Sequence, residues 1–335
     1  MTMMKYGMSK LNVKISVAMT TYNGEKYIIE QLDSIRNQTL PPNEVIICDD
    51  QSTDDTADII KKYISDFQLD NWKFQVNNKR LGWKENFREA IRQTSGEIVF
   101  FSDQDDVWFL NKIENMSTMV DKYDMGCLYG DCVKIDSNGD FLPNQRENIY
   151  DKYLNKIEFG PSFYNVGGLG CCMCVRRRVI DKYLNLNLKE DDHDSQCPRI
   201  AVYYDSLWYV NSPMIKYRVH SQNTSNVTSG CPYGVSSKEY RISLIKRILE
   251  WLEIVGSDDN VDYLHKKYVK QAIMINKKRF DYLTQKDVNW ISLVKCINSR
   301  AIIQSLVGDF AYRHGWENIF GKVLWKMEMK LDRLK

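Results

Sequence analysis

The first 135 residues alternate short apolar runs with helical patterns, and this alternation constrains the fold more than any other feature of the sequence. Four apolar runs of strand length occupy residues 14–20, 44–49, 73–76 and 97–101. Apolar side chains at helical spacing follow three of these runs, over residues 25–38 and then up to residues 64 and 93. Strands that alternate with helices in this way predict an α/β fold with a mainly parallel sheet, flanked by helices.

Polar residues follow three of the apolar runs, at the points where the predicted strands end. They form clusters at residues 20–23, 49–52 and 102–106. In an open parallel sheet, ligands bind at the carboxyl ends of the strands. We therefore expect the three clusters to meet at one edge of the sheet and to form a binding site there.

The most acidic cluster is the run Ser-Asp-Gln-Asp-Asp at residues 102–106. Two carboxylates one residue apart, such as Asp103 and Asp105, can bind Mg²⁺ or Mn²⁺, and the cation can be shared with a diphosphate. Such a cation would neutralise charge on a departing phosphate. The alternative is a solvated loop in which Asp103 or Asp106 caps the next helix. The position of the run directly after an apolar strand favours the binding site.

The other two clusters contain groups that could hold a nucleotide. Asp50 ends the second strand, where a carboxylate can accept from a base imide or a ribose hydroxyl, with helix capping as the alternative. Thr20 and Tyr22 end the first strand, where the phenol could stack on a base and the hydroxyl could bond its edge. A packed turn is the alternative for this pair.

Two further polar segments lie in the middle section, residues 126–230, whose pattern predicts irregular structure. Asp194, beside His193, could act as a general base in a cleft, and a solvated acidic loop is the alternative. His220 could bind a metal or a phosphate, or could be an ordinary hydrogen-bonded histidine. Arg218 could pair with phosphate through two hydrogen bonds, or could lie on the surface.

Charge and composition argue against several other classes of protein. The net charge of +2 gives no support to nucleic acid binding, so we expect no nucleic acid partner. The nine cysteines are irregularly spaced and lack the paired knuckles of a zinc site, which favours reduced, buried thiols. Neither a secretory signal nor an apolar run of membrane-spanning length is visible, and we expect a cytoplasmic protein.

Taken together, these segments resemble the inverting family 2 glycosyltransferases, which have the GT-A fold. The resemblance covers about residues 14–226, and it rests on four motifs. They are Ser-Val-Ala-Met-Thr-Thr-Tyr-Asn-Gly at 16–24, Ile-Cys-Asp-Asp-Gln-Ser-Thr-Asp at 47–54, Asn-Lys-Arg-Leu-Gly at 78–82 and Phe-Ser-Asp-Gln-Asp-Asp-Val-Trp at 101–108. The last motif resembles the subgroup that builds bacterial surface polysaccharides, including rhamnosyl- and galactosyltransferase-like members.

The resemblance implies which residues hold a nucleotide-sugar donor. Asp103 would lie near the ribose, and Asp105 would hold the metal on the donor diphosphate. Three residues at the first two strand ends would hold the base. The whole donor set that we predict is Thr20, Tyr22, Glu25, Asp50, Arg80, Asp103 and Arg218, with Thr20, Tyr22 and Asp50 at the base.

The resemblance also implies a catalytic residue. In this family a His-Asp pair is followed by a proline and then by a Tyr-Arg-x-His segment. Here the matching residues are His193 and Asp194, then Pro213, then residues 217–220. Asp194 is therefore the candidate base, His220 gains a metal or diphosphate role beside Asp105, and the segment 170–172 would lie near the acceptor.

The implied function is transfer of a sugar, with inversion, from a UDP- or dTDP-sugar to a glycan or lipid-linked glycan, with Mn²⁺ or Mg²⁺ as cofactor. Polysaccharide or O-antigen biosynthesis is the expected setting. A sugar-nucleotidyltransferase is one alternative, but the segment 20–24 is not the glycine-rich phosphate loop that such an enzyme needs. A non-catalytic protein that binds nucleotide sugars or glycans is the other alternative.

The chain divides by pattern into a GT-A domain at residues 1–230 and a helical region at 231–335. Residues 320–335 mix apolar side chains with lysines and one arginine. This segment could lie on anionic lipid at the inner face of the cell membrane, as a peripheral contact. A helix packed on the protein core is the alternative.

Overall fold

The structure, a computed structural model, describes residues 13–143, 153–186, 192–221 and 238–285, together with Asp309. Contacts divide the chain into two compact units. The sheet unit consists of Met1–Glu158, Gly167–Asn187 and Asp191–Arg218. The helical unit consists of Phe159–Val166, Leu188–Glu190 and Val219–Lys335.

The sheet unit begins with the predicted alternation of strands and helices. The first eight elements are β1 Ile15–Thr21, α1 Ile28–Arg36, β2 Glu44–Asp49, α2 Thr56–Asp66, β3 Trp72–Val76, α3 Trp83–Gln93, β4 Ile98–Ser102 and β5 Val107–Trp108. They are followed by α4 Lys112–Lys122, β6 Cys127–Ile135, β7 Leu154–Ile157, β8 Met173–Arg176, α5 Arg177–Asn185, α6 His193–Tyr204 and β9 Leu207–Arg218.

All nine strands of the described residues form one sheet, in the order β3-β2-β1-β4-β8-β6-β9-β5, with β7 also paired to β9. The strands from β3 to β4 are parallel, as the alternation predicts. Beyond β4 the sheet is mixed, because β8 runs antiparallel to both β4 and β6. The predicted α/β class is therefore confirmed. The prediction of irregular structure for residues 126–230 is wrong where β6 to β9, α5 and α6 form.

The core of the sheet unit lies on both faces of the parallel strands. Every residue of β1, β2 and β4 is buried, and this explains their nearly continuous apolar sequences. Helix α1 buries a stripe that contains Ile28, Leu32 and Ile35, at the spacing of one helix face. The carboxyl edge of the strands is thus fixed by a packed scaffold on each side.

One carboxylate, Glu44, organises the amino edge of the same strands. Its Oε1 accepts from the Ser16 hydroxyl at 2.6 Å and from the Ser95 backbone N–H at 2.6 Å. The Lys14 ammonium lies 3.4 Å from Oε2. Burial opposes ionisation, but the bonds from Ser16 and Ser95 and the charge of Lys14 outweigh it and lower the pKa of Glu44 to about 2.

The helical unit contains α7 Lys238–Gly256 and α8 Tyr263–Thr284. The two helices pack on one another, and Trp251, Leu252, Val269 and Ile275 are among their buried side chains. The helical C-terminal part of the predicted fold is therefore confirmed. Residues 320–335, for which a lipid contact was considered, lie outside the described residues.

Two predictions from composition concern the described residues as a whole. The seven cysteines that can be described are all free, and six of them are buried, as the prediction of buried thiols expects; their reduced state stays a prediction. Among the described helices, none combines the length and the apolar character that crossing a membrane requires.

Candidate active site

The three polar clusters meet at the carboxyl edge of the parallel strands, as predicted. The sheet register places Thr21 beside Asp49 and Met19 beside Ser102. The Thr21 hydroxyl donates to Asp49 Oδ2 at 2.7 Å, which joins the first two clusters directly. The parallel topology therefore brings together strand ends that are far apart in the sequence, at Thr21, Asp49 and Ser102.

Gln104, a residue that the sequence analysis did not single out, ties the acidic run to the end of β1. Its side-chain amide accepts from the Tyr22 N–H at 2.8 Å and donates to the Tyr22 carbonyl at 2.9 Å. Gly24 packs against this amide so closely that a Cβ there would lie 2.3 Å from Gln104 Oε1. The glycine is thus required for close approach between the two loops.

Tyr22 and Arg80, both in the predicted donor set, lie against one another. The Arg80 guanidinium carbon stands 3.9 Å from the centre of the Tyr22 ring, which is a cation–π contact. Arg80 is exposed and Tyr22 is half-buried. Glu25, also exposed, lies apart from this contact and accepts from the Asp55 N–H at 3.0 Å. It connects the loops that follow β1 and β2.

Asp50 is buried and holds the loop that carries Arg80. Its carboxylate accepts from the N–H groups of Leu81 and Gly82 at 2.6 and 2.8 Å and from the Asn77 amide at 3.1 Å. A carboxylate has about four acceptor positions, so this count leaves one for a ligand. The alternative of helix capping is wrong here, because α2 begins at Thr56 with Asp55 as its N-cap. Thr20, also buried, lies on the neighbouring strand.

The acidic run gathers like charges in a poorly solvated place. Burial and the neighbouring charges of Asp105 and Asp194 raise the pKa of Asp103 to about 7. Burial and the charges of Asp105 and Asp103 raise the pKa of Asp106 well above its ordinary value. Neither residue caps a helix, since α4 begins at Lys112 and its N-cap is Asn111, so the capping alternative is wrong.

Asp106 and Cys171 form a possible cation site with Asp103. One carboxylate oxygen of each aspartate and the Cys171 Sγ lie within 4.8 Å of one another. Asp106 Oδ1 accepts from the Arg218 N–H at 3.1 Å, whereas Oδ2 has no hydrogen-bond partner within the described part of the chain. Two carboxylates with one unsatisfied, buried oxygen fit a divalent cation. A ligand role was predicted for neither Asp106 nor Cys171, and Cys171 was expected only in a segment near the acceptor.

The predicted metal ligands Asp105 and His220 are not members of the group formed by Asp103, Asp106 and Cys171. Asp105 is half-buried, and its backbone carbonyl accepts from Arg218 Nε at 2.9 Å. His220 is half-buried two residues beyond the end of β9 and belongs to the helical unit. Their metal role stays a prediction.

Arg218 is fully buried at the end of β9, so the alternative of a surface arginine is wrong. Its guanidinium pairs with Glu30 Oε2 at 2.6 Å and stacks 4.6 Å from the Tyr27 ring centre. Through Nε and its own backbone N–H it also binds Asp105 and Asp106. Arg218 therefore fixes the second half of the acidic run, and its predicted contact with phosphate stays a prediction.

Asp194 and His193 begin α6, whose N-cap Asp192 accepts from the Ser195 N–H at 2.9 Å. The alternative of a solvated loop is wrong for His193, because its buried ring lies 4.1 Å from that of Phe87 and 4.7 Å from that of Phe101. Its Nε2 is 2.7 Å from Asp194 Oδ1, an ion-pair distance without hydrogen-bond alignment.

Charge and exposure distinguish the two members of this pair. Burial disfavours the His193 cation, but the charge of Asp194 outweighs burial and raises the pKa of His193. The Asp194 side chain keeps 34% of its surface exposed. The pair is thus a partly accessible carboxylate supported by a buried imidazole.

Gly170 lies against this pair. A Cβ at position 170 would come within 2.0 Å of Asp194 Oδ1 and 2.6 Å of His193 Nε2. The segment 170–172 was expected to lie near the acceptor. In the structure, the backbone of Gly170 approaches Asp194 itself.

Lys112 is a buried cation that the sequence analysis missed. Its Nζ donates to the Cys171 carbonyl at 2.5 Å and stands 3.5 Å from the centre of the Trp108 ring. Burial lowers the pKa of Lys112 to about 8. A lysine in the first turn of a helix opposes the helix dipole, and this was the one signal in the sequence. Lys112 supports the backbone of Cys171 beside the acidic run.

Comparison with known proteins agrees with this geometry. Residues 16–184, just over half of the chain, match the model of the family described as "Glycosyl transferase family 2". The protein belongs to glycosyl transferase family 2. Membership supports glycosyl transfer over the two alternatives, a sugar-nucleotidyltransferase and a non-catalytic binding protein.

Curated relatives of this family 2 glycosyltransferase include two bacterial sugar transferases. The dTDP-rhamnosyl transferase RfbG of Shigella flexneri is 29% identical over 279 residues, which cover 76% of this chain and 91% of RfbG. The UDP-Glc:alpha-D-GlcNAc-diphosphoundecaprenol beta-1,3-glucosyltransferase WfgD of Escherichia coli is 28% identical over 196 residues, covering 54% of this chain and 72% of WfgD.

A solved structure shares the fold of this family 2 enzyme. Residues 1–349 of S. aureus TarS, crystallised with UDP-GlcNAc, superpose with a TM-score of 0.58 at 19% identity. The superposition covers 90% of this chain and 92% of the TarS chain. The similarity confirms the GT-A fold.

Proposed function

We propose that this enzyme moves a sugar from a nucleotide-diphosphate donor to a glycan acceptor, with inversion at the anomeric carbon and with the help of a divalent cation. The observation that carries this proposal is the meeting of Asp194 with the acidic run. The charge of Asp194 acts on the half-buried Asp103, and the Asp194 side chain itself stays partly exposed. A candidate base thus borders a candidate diphosphate site.

The donor nucleotide would bind where β1 and β2 end. Tyr22 and Arg80 present a flat, partly exposed pair on which a base can stack. Thr20 and Asp50 border the same place, and Asp103 would contact the ribose. A UDP- or dTDP-sugar is the donor that we propose, since RfbG is named for a dTDP-linked donor and WfgD for UDP-Glc. Glu25 and Arg218 complete the proposed donor set.

The chemical step would be a single displacement that uses Asp194 as general base. The carboxylate removes the proton of the acceptor hydroxyl as the oxygen attacks the anomeric carbon. The neighbouring His193, whose Nε2 lies 2.7 Å from Asp194 Oδ1, would hold that carboxylate in position for the transfer. The diphosphate departs from the face of the anomeric carbon opposite to the attacking oxygen, so the configuration of that carbon inverts.

A bound Mn²⁺ or Mg²⁺ would neutralise charge on the departing diphosphate. Asp105 is the residue that we propose as its ligand, and Asp103 and Asp106 offer further oxygens at the same loop. His220 remains a proposed ligand from the sequence motif. Arg218 would keep the loop in place through its bonds to Asp105 and Asp106.

The acceptor that we propose is a growing glycan on a lipid carrier, in polysaccharide or O-antigen synthesis. The name of WfgD specifies a diphosphoundecaprenol-linked acceptor, which supports this class. The enzyme would then work from the cytoplasm at the inner face of the cell membrane. We retain the division into a GT-A domain at 1–230 and a helical region at 231–335, and we assign the helical region to the acceptor or the membrane.

The test is a transfer assay with a panel of UDP- and dTDP-sugars and a lipid-linked glycan acceptor, with Mn²⁺ present. We expect one donor to give a product whose new linkage has the inverted anomeric configuration, measured by proton NMR couplings. Chelation with EDTA should abolish transfer, and added Mn²⁺ should restore it. Retained configuration, or transfer that survives EDTA, would contradict the proposed mechanism.

A further inference from the structure

Helix α8 has an unusual distribution of charge. Residues 263–280 contain no aspartate or glutamate, but they contain five lysines and one arginine. Burial separates these cations into two groups. Arg279 faces the core of the helical unit, where its Nε binds Asp309 Oδ2 at 2.7 Å. Lys267, Lys270 and Lys277, in contrast, are exposed.

The exposed side chains of α8 form a continuous stripe, which we call the α8 stripe. It consists of Tyr263, Lys267, Lys270, Met274 and Lys277, all exposed. Their spacing of four, three, four and three residues places them on one face of the helix. The opposite face contains Val269, Ala272 and Ile275, among other buried side chains. The helix therefore has a packed face and a basic face.

The apolar members of the stripe are unusually accessible. Tyr263 keeps 81% of its surface exposed and Met274 keeps 45%. A tyrosine ring has an apolar body and a polar tip, which suits the boundary between lipid headgroups and acyl chains. From Tyr263 to Lys277 the stripe is about 21 Å long, so it can contact several headgroups at once.

The described part of the chain offers the stripe few acidic partners. Lys267, Lys270 and Lys277 form no ion pair with any described residue, whereas Lys266, beside the stripe, binds Asp259 at 3.2 Å. Glu253 of α7 and Lys270 line the same surface groove of the helical unit. Asp281, at the end of the helix, accepts from the Gln285 amide at 3.1 Å. Counted over the described residues, the stripe therefore carries more positive than negative charge.

We propose that the α8 stripe docks on an anionic phospholipid bilayer, with the helix parallel to the membrane plane. The three lysines would bind headgroup phosphates, and Tyr263 and Met274 would enter the interface. Each lysine near an anionic surface contributes an attraction that salt screens. The inference rests on the proposed function in one respect: an enzyme with a lipid-linked acceptor has to work beside the membrane.

The test is co-sedimentation of the full chain with vesicles of phosphatidylcholine alone and of phosphatidylcholine mixed with phosphatidylglycerol. Wild-type protein should bind the mixed vesicles, bind the neutral vesicles weakly, and dissociate as salt rises. The variant K267Q/K270Q/K277Q should bind the mixed vesicles about 100-fold less tightly. Y263Q should bind several-fold less tightly while its salt dependence remains.

The matched control is K61Q/K62Q/K73Q, which removes the same charge from three exposed lysines of the sheet unit. It should bind vesicles within about twofold of wild type. Thermal unfolding of each variant checks that the fold is intact. Wild-type vesicle binding by the α8 variant, or equal binding to neutral and anionic vesicles, would overturn the proposal. So would self-association of the wild-type chain that the α8 variant abolishes, because a second copy would then cover the stripe.

Failure of this proposal and failure of the proposed function are separable. Protection by a nucleoside diphosphate with Mn²⁺ in the thermal unfolding assay reports on the donor site alone. Donor protection without vesicle binding would overturn the docking surface and leave glycosyl transfer standing. Vesicle binding without donor protection would support the docking surface and contradict the proposed donor site.

Discussion

Carboxylates at the two ends of the parallel strands have pKa shifts of opposite direction. At the amino edge, Glu44 is surrounded by hydroxyl, amide and ammonium donors, and its pKa is lowered to about 2. At the carboxyl edge, Asp103 and Asp106 lie among other carboxylates and have raised pKa values. The same scaffold therefore contains one carboxylate that stabilises the fold and several that carry a cost until a ligand arrives.

The difference teaches how to separate structural from functional acids. A structural carboxylate has its acceptor positions filled by neighbouring donors, as Ser16 of β1 and Ser95 of the loop before β4 fill those of Glu44. A functional carboxylate keeps an unfilled position or an uncompensated charge, as Asp106 Oδ2 does among the described residues. Perturbed acids in a cleft are candidates for function for this reason.

The largest effect on activity is expected for a substitution of Gly170, at the carboxyl edge. In Gly170→Ala the new Cβ would lie 2.0 Å from Asp194 Oδ1, so the carboxylate has to move. Misplacement of a catalytic group by about 1 Å costs roughly 100-fold in rate, and we expect a loss of that size in kcat. Gly167→Ala is the matched control, since its Cβ would meet Asp194 only at 3.9 Å, through the backbone carbonyl. Equal activity of the two variants would show that the close approach does not matter.

Glu44→Gln tests whether the carboxylate at the amino edge stabilises the fold. The variant loses the charge that Lys14 and the charge-assisted bonds stabilise, and we expect the free energy of unfolding to fall by about 2 kcal/mol. Urea unfolding at neutral pH measures this change. Glu97→Gln, an exposed glutamate just before β4, is the control and should unfold like wild type. A loss of transfer activity in folded Glu44→Gln would contradict the division between the two edges.

The pH dependence of stability follows from the same residue. Because the folded pKa of Glu44 is depressed to about 2 from 4.5, its contribution is complete above pH 4.5 and is lost as pH falls toward 2. Glu44→Gln should therefore lose less stability than wild type over that range. Urea unfolding at a series of acidic pH values compares the two slopes, and parallel slopes would show that Glu44 is not the group responsible.

A substitution in the acidic run at the carboxyl edge should have the smallest effect on stability, and that effect should be an increase. Asp106→Asn removes a like charge from the acidic run, so we expect the ligand-free protein in EDTA to gain about 1 kcal/mol of stability at neutral pH. The same variant should lose protection by a nucleoside diphosphate with Mn²⁺. Destabilisation by several kcal/mol would show instead that Asp106 is a structural acid like Glu44.

Part of this contrast could be predicted from sequence. The ends of β1, β2 and β4 follow from local patterns, and parallel topology then requires them to share an edge. The acidic run could be recognised because its carboxylates are adjacent in the chain. Interpretation of Asp106 as a helix cap failed because its partner, the backbone of Arg218, is 112 residues away.

Other features depended on tertiary contacts that leave little trace in the sequence. Lys112 and Cys171 meet across 59 residues, and no local periodicity reports that contact. Burial of Arg218 was also hidden, because its partner Glu30 belongs to α1, at the other end of the sheet unit's sequence. The segment 126–230 was harder to predict than the first half, since β6 to β9 pair partly antiparallel and their helices do not alternate regularly with them.

The most direct test of the division between the two edges is the turnover of Asp194→Asn, compared with Asp58→Asn on the exposed surface of α2. With the donor and acceptor that the transfer assay identifies, we expect Asp194→Asn to lose between about 100-fold and 10,000-fold in kcat while it still binds the nucleoside diphosphate. Asp58→Asn should match wild type. Wild-type turnover by Asp194→Asn would contradict the assignment of the catalytic base and, with it, the functional role of the carboxyl edge.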